Sequence, residues 1–126
     1  TVENLGDYLI SKLDAIQLQM FEKVKKVRDE RTTVVYKWED FNPALEAGNL
    51  IMTPWCGPEF QEEEEWVKEE SKKISMRGEE EDEKSSTSVA GKSLCIPFEQ
   101  PDLPEGTKCF ATGKVATCWC LWGRSY

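Results

Sequence analysis

The chain has 126 residues and a formal charge of −8, enough for one modest domain around a single core. The acidity is local: residues 59–84 hold twelve acidic side chains against five basic ones, a net −7, which describes one solvated stretch that would repel nucleic acid. There is no histidine, which excludes histidine general bases, Ser-His and Cys-His nucleophile pairs and every histidine-containing zinc site. No apolar run approaches the roughly 20 residues of a membrane span, and no signal-peptide pattern opens the chain.

In chain order, residues 2–30 are expected to form one long helix. Leu5, Leu9, Leu13, Ile16, Met20, Val24 and Val27 recur at spacings of three and four and so share one face. Lys23, Lys25, Lys26, Arg28 and Arg31 gather at its C-terminal end, where they suit the helix dipole and a solvated face; a phosphate contact with RNA is the alternative. Thr32 to Trp38 is β-branched and aromatic and predicts a strand. Trp38-Glu39-Asp40-Phe41 opens a short helix with Ala44 and Leu45 inward and Gly48 as its stop. Leu50 to Trp55 predicts a second strand, Phe60 to Ile74 a second short helix, and Arg77 to Gly91 a low-complexity acidic loop. Lys92 to Phe98 predicts a third strand and Glu99 to Gly106 a loop. Lys108 to Ala111 and Ala116 to Trp122 then flank a turn at Thr112-Gly113-Lys114. In the last run Cys118, Cys120 and Trp122 point one way, and Trp119 and Leu121 the other.

The expected fold is α/β: a long connector helix, then a small two-layer β-α-β-α-β-β sandwich. Its β-α-β steps would be parallel crossovers, its final pair a hairpin, and both short helices would lie on one face. The domain boundary falls between residues 1–31, the connector, and 32–126, with a disordered acidic loop at 77–91.

Few motifs carry chemistry. Ala90-Gly91-Lys92-Ser93 superficially resembles the end of a phosphate-binding loop. Yet Ser86 stands where the upstream glycine is required, and the segment leads into a strand rather than a helix. The five cysteines, Cys56, Cys95, Cys109, Cys118 and Cys120, are an odd number without any Asn-x-Ser/Thr acceptor, which favours reduced thiols in a cytosolic protein. Burial as small hydrophobes is their default role, and a four-thiolate zinc site the alternative. The five tryptophans suit a core and a docking surface better than a base-stacking platform, which needs a basic surround. The chain begins at Thr1 and ends directly after an apolar strand. It therefore reads as a piece of a longer protein whose terminus is docked.

Five segments in order resemble the C-terminal part of prolyl-tRNA synthetases of the eukaryotic and archaeal type. They are Trp38-Glu39-Asp40-Phe41, Thr53-Pro54-Trp55-Cys56-Gly57, Lys92 to Phe98, Leu103 to Cys109, and Leu121 to Tyr126. Residues 1–31 resemble the helix that leaves the anticodon-binding domain of that family. The resemblance implies a non-catalytic domain of a cytoplasmic, homodimeric ligase that joins proline to tRNA(Pro) with ATP and Mg. Its partners would be the catalytic and anticodon-binding domains of the same enzyme, with no membrane. Many members hold zinc through a Cys-x4-Cys and a Cys-x-Cys pair. Cys56 and Cys109 match two of those positions, but Gln61 and Ala111 replace the others, so no zinc is expected. The resemblance further implies that Tyr126 presents its carboxylate near the active site, with Trp122 and Arg124 docking against the neighbouring domain. The rival reading is a free-standing protein-interaction module using the heptad face of helix 2–30; an RNA-binding module is a third.

Overall fold

The computed structural model describes residues 4–79 and 90–125, and the chain divides into two compact units, Thr1–Arg31 and Thr32–Tyr126. The first unit is one helix, α1 (Leu5–Glu30). Its seven stripe residues are all 46–68% exposed. Ile10 and Phe21, also exposed, widen the stripe beyond the spacing pattern. A lone helix has nothing of its own on which to bury such a face.

The second unit runs β1 (Thr32–Val34), α2 (Trp38–Glu46), β2 (Leu50–Trp55), α3 (Gln61–Glu79), β3 (Ala90–Cys95) and β4 (Cys118–Ser125). The element order is the β-α-β-α-β-β expected. The sheet order is β1-β2-β4-β3, with β1 and β2 parallel and β4 antiparallel to both of its neighbours. β2 and β3 therefore run in the same direction with β4 between them, and α3 makes the crossover.

One face of the sheet is set by register. Ile51, Thr53 and Trp55 stand opposite Trp122, Cys120 and Cys118. Of these, all but the half-buried Cys118 are buried, and they join Phe41 and Leu45 of α2, Val67 of α3 and the loop residue Phe110 in one core. Phe110 is the hub of its aromatic part, with ring centroids 5.1 Å from Phe41, 5.6 Å from Trp122, 6.0 Å from Trp38 and 6.1 Å from Trp55. Such spacings suit the tilted and edge-on contacts that aromatic quadrupoles prefer.

Element ends differ from expectation for local reasons. β1 stops at Val34 rather than Trp38, because Lys37 is the extended residue that caps α2 and Trp38 begins the helix. α3 continues to Glu79 rather than ending at Ile74. β3 begins at Ala90, where the Gly91 N–H donates to Ser71 Oγ at 2.8 Å, and it ends at a bulge between Ser93 and Cys95. Arg77 to Glu79 and Ala90 to Gly91 thus belong to regular elements, and the rest of the expected acidic loop, 80–89, lies outside the described residues. The Lys108–Ala111 strand shrinks to a single bridge, Lys108 to Val115. The expected final hairpin is replaced by pairing of β4 with β2 on one edge and β3 on the other.

Two details keep β4 central along its length. Proline inside β2 is tolerated at Pro54. Met52 O accepts from Val35 N at 3.0 Å, so Pro54, two residues on, faces the same edge beyond the end of β1. Its carbonyl takes the Phe110 N–H at 3.2 Å instead. On the other side β3 pairs no further along β4 than Leu121. There Gln100 stands in for a strand: its Oε1 accepts the Trp119 N–H at 2.6 Å, and its Nε2 donates toward Trp119 O at 3.4 Å and to Pro97 O at 2.6 Å.

Candidate functional site

Two regions hold the residues that the sequence singled out: the thiols at the end of β2, and the strand that leads to the C-terminus. Cys56 directly follows β2, and Cys109 lies on the loop that Lys108 and Val115 close. That loop is tight. Cys109 N donates to Lys114 O at 2.7 Å, Gly113 N donates to Cys109 O at 3.2 Å, and Gly113 adopts a φ of 70° that an L side chain resists. Thr117 ties the loop to β2, its Oγ1 donating to Cys56 O at 2.9 Å and its N–H to Trp55 O at 2.9 Å.

Both thiols are buried, and they face one another across the junction. Burial, followed by the neighbouring Cys109, pushes the Cys56 thiol up to about 11. The hydroxyl of Thr112 nearby acts in the opposite direction. Gln61 lies exposed at the first residue of α3, and Ala111 contributes only a methyl group. Lys114 reaches over the same junction: its Nζ sits 4.3 Å from the centroid of the Phe60 ring and pairs with Glu63 Oε1 in the first turn of α3. Among the described residues, no group of three or more histidine, cysteine or acidic side chains converges as metal ligands do.

Cys118 and Cys120 lie together on the core side of β4, as alternation requires. Burial raises both, Cys120 to about 12. Trp122, next on that face, is wholly buried, and its Nε1 donates to Thr53 Oγ1 at 2.9 Å. It lies inside the domain, not on its surface. Gly123 lies on the opposite face, where an added Cβ would meet Leu94 Cδ1 at 3.0 Å and Leu50 Cδ2 at 3.7 Å. Arg124 is half-buried with its backbone paired to Gly91, and Tyr126 lies outside the described residues.

The family model for the C-terminal region of prolyl-tRNA synthetase matches residues 38–126, which includes every element after β1. The chain belongs to that family. It is similar to the cytoplasmic proline–tRNA ligase of Arabidopsis thaliana, 41% identical over 98% of this chain and 20% of that protein. A Saccharomyces cerevisiae protein that provisionally bears the same ligase name is 42% identical over 90% of this chain and 16% of its own length. The mouse bifunctional glutamate/proline–tRNA ligase is 33% identical over 90% of this chain and 7% of its own. The chain therefore spans a fifth or less of each of these relatives, and it is a C-terminal domain of the prolyl-tRNA synthetase type. No helix among its described residues is long and apolar enough to cross a membrane.

In this synthetase domain the sequence located Cys56 and Cys109 but missed Phe110, Gln100 and the Lys114–Glu63 pair. The only available signal for the last was a lysine directly after the glycine of a tight turn.

The buried thiols have a measurable consequence. Exposed Cys95 is expected to react first with an alkylating reagent near pH ~8, with Cys56 and Cys120 protected until the domain unfolds. Cys56 and Cys120 ordinarily ionise near 9 and are raised in the fold to about 11 and 12. The stability they contribute is whole below about pH 9 and is lost as pH rises through those values, so resistance to denaturant should fall on the alkaline side. Denaturation midpoints at neutral and alkaline pH check this; a midpoint that rises with pH contradicts it.

Proposed function

We propose that this domain serves a cytoplasmic, homodimeric enzyme that attaches proline to tRNA(Pro) with ATP and Mg. It braces the catalytic domain and presents the Tyr126 carboxylate near the active site. The observation that carries this reading is the place of β4. The strand leading to the terminus is internal to the sheet, paired to β2 over Trp55–Ile51 and to β3 through Ser125. Past Trp122, where the pairing with β2 ends, Gly123, Arg124 and Ser125 stay paired to β3, which holds the direction of the terminus, whereas most termini fray. Because Trp122 is core, docking contacts fall to Arg124 and Tyr126, with Trp122 acting through the packing that holds β4 in place. Arg124 offers a forked donor to a carboxylate of the neighbouring domain. The stripe of α1 offers its apolar surface to the anticodon-binding domain of the same parent.

This fragment contributes no catalytic group, no contact to ATP or proline, and no zinc. Two sulfurs are too few for a structural zinc, which takes four ligands. Deleting Tyr126 from the full-length parent should slow proline activation and leave tRNA affinity nearly unchanged. Pyrophosphate exchange and tRNA titration measure the two separately. Activation at the unaltered rate would reject the role given to the terminus.

A further inference from the structure

We propose that the Lys114 side chain replaces the metal at this junction, its ammonium bridging the two segments that four cysteines join in zinc-holding members of the family. The proposal rests on the zinc-free reading above and names what holds the junction in zinc's absence.

The four family positions are divided between two segments, Cys56 and Gln61 on the chain entering α3, and Cys109 and Ala111 on the loop before β4. Removing two thiolates from such a site removes its negative charge along with half its ligands. The remaining pair are two buried, mutually facing sulfurs, fewer than the four ligands a structural zinc takes. A cation is nevertheless present. Lys114 belongs to the second segment, and its Nζ crosses to the first, pairing with Glu63 and lying over the face of Phe60. It therefore contacts residues on both sides of Gln61. The positive charge of Lys114 and the negative charge of Glu63 offset one another at the junction. Four thiolates with a dication would not be neutral.

The turn supplies the reach. Gly113 in its left-handed conformation reverses the chain so that Lys114 O accepts from Cys109 N, which fixes the lysine backbone beside the thiol. The lysine stem then spans the junction and its head stays half in water, the arrangement usual for this side chain. Attraction of an ammonium to a ring face adds to the ion pair.

The test uses the 126-residue chain with melting and metal content as readouts. Lys114→Met, which keeps the apolar stem, and Glu63→Gln should each lower the melting temperature by about 2–5 °C at low salt. The double variant should lose no more than either single one, and about 1 M salt should erase the differences. Additive losses would overturn the bridge while leaving the zinc-free reading intact. Gln61→Cys combined with Ala111→Cys should bind one equivalent of zinc, and in that loaded variant Lys114→Met should cost nothing. A restored quartet that takes up no zinc, or that still needs Lys114 when loaded, would show that the lysine does not occupy the metal's role. One equivalent of zinc retained by the unaltered chain after dialysis would overturn both readings, and circular dichroism of each variant excludes misfolding as the cause.

Discussion

Trp122→Ala is expected to destabilise the domain by about 3–5 kcal/mol, a large share of the stability of any domain this size. Trp122 has no exposed surface, and its ring sits edge-on to Trp55 at 5.2 Å and to Phe41 at 5.9 Å, with Phe110 at 5.6 Å. The sheet beneath and two helices above cannot all move in to fill the space. The substitution also strips Thr53, itself wholly buried, of the indole N–H it accepts at 2.9 Å. Trp122→Phe separates the two effects, since it keeps most of the ring contacts and loses the hydrogen bond, at about 1–3 kcal/mol. Urea unfolding of both variants measures the difference. A loss below about 1 kcal/mol for the alanine would mean that the core does not depend on this ring.

Gly91→Ala should cost about 1–3 kcal/mol through overpacking. The backbone angle at Gly91 is one that any residue adopts, so the requirement is spatial. A Cβ there would stand 2.7 Å and 2.8 Å from Phe41 Cε1 and Cζ, and 3.3 Å from Ser71 Oγ. Phe41 is wholly buried and stacked on Trp38 at 5.4 Å with 14° between planes, so it has nowhere to retreat. Moving β3 away instead would break the bond from the Gly91 N–H to Ser71. Gly6→Ala is the matched control. Gly6 lies within α1 with nothing in reach of an added methyl, and alanine there should stabilise the helix by roughly 0.5–1 kcal/mol. Equal melting temperatures for Gly91→Ala and the parent chain would show that β3 is looser than this packing requires.

Gly91 also illustrates why the acidic segment was legible only in part. Charge and serine content marked Arg77 to Gly91 as unable to form a core, yet its last two residues begin β3. Gly91 is small because Phe41 and Ser71 press on it, and nothing in the local composition distinguishes that cause from a flexible loop. Phe110 was hidden in the same way. It occupies a short turn-rich segment without periodicity, and its burial arises from Trp38, Phe41, Trp55 and Trp122, all distant in sequence.

The sequence by itself determined what depends on near neighbours. The three-and-four spacing of α1, the β-α-β-α-β-β order and the shared face of Cys118, Cys120 and Trp122 follow from helix and strand periods, which are properties of consecutive residues. The five family segments were equally local, and so was the replacement of two cysteines by Gln61 and Ala111. Only the tertiary structure decided that β4 lies between β2 and β3, that Trp122 is core, and that Lys114 reaches Glu63. Each of these depends on which distant segments meet, and the alternation of a strand says which face is apolar without saying what will cover it.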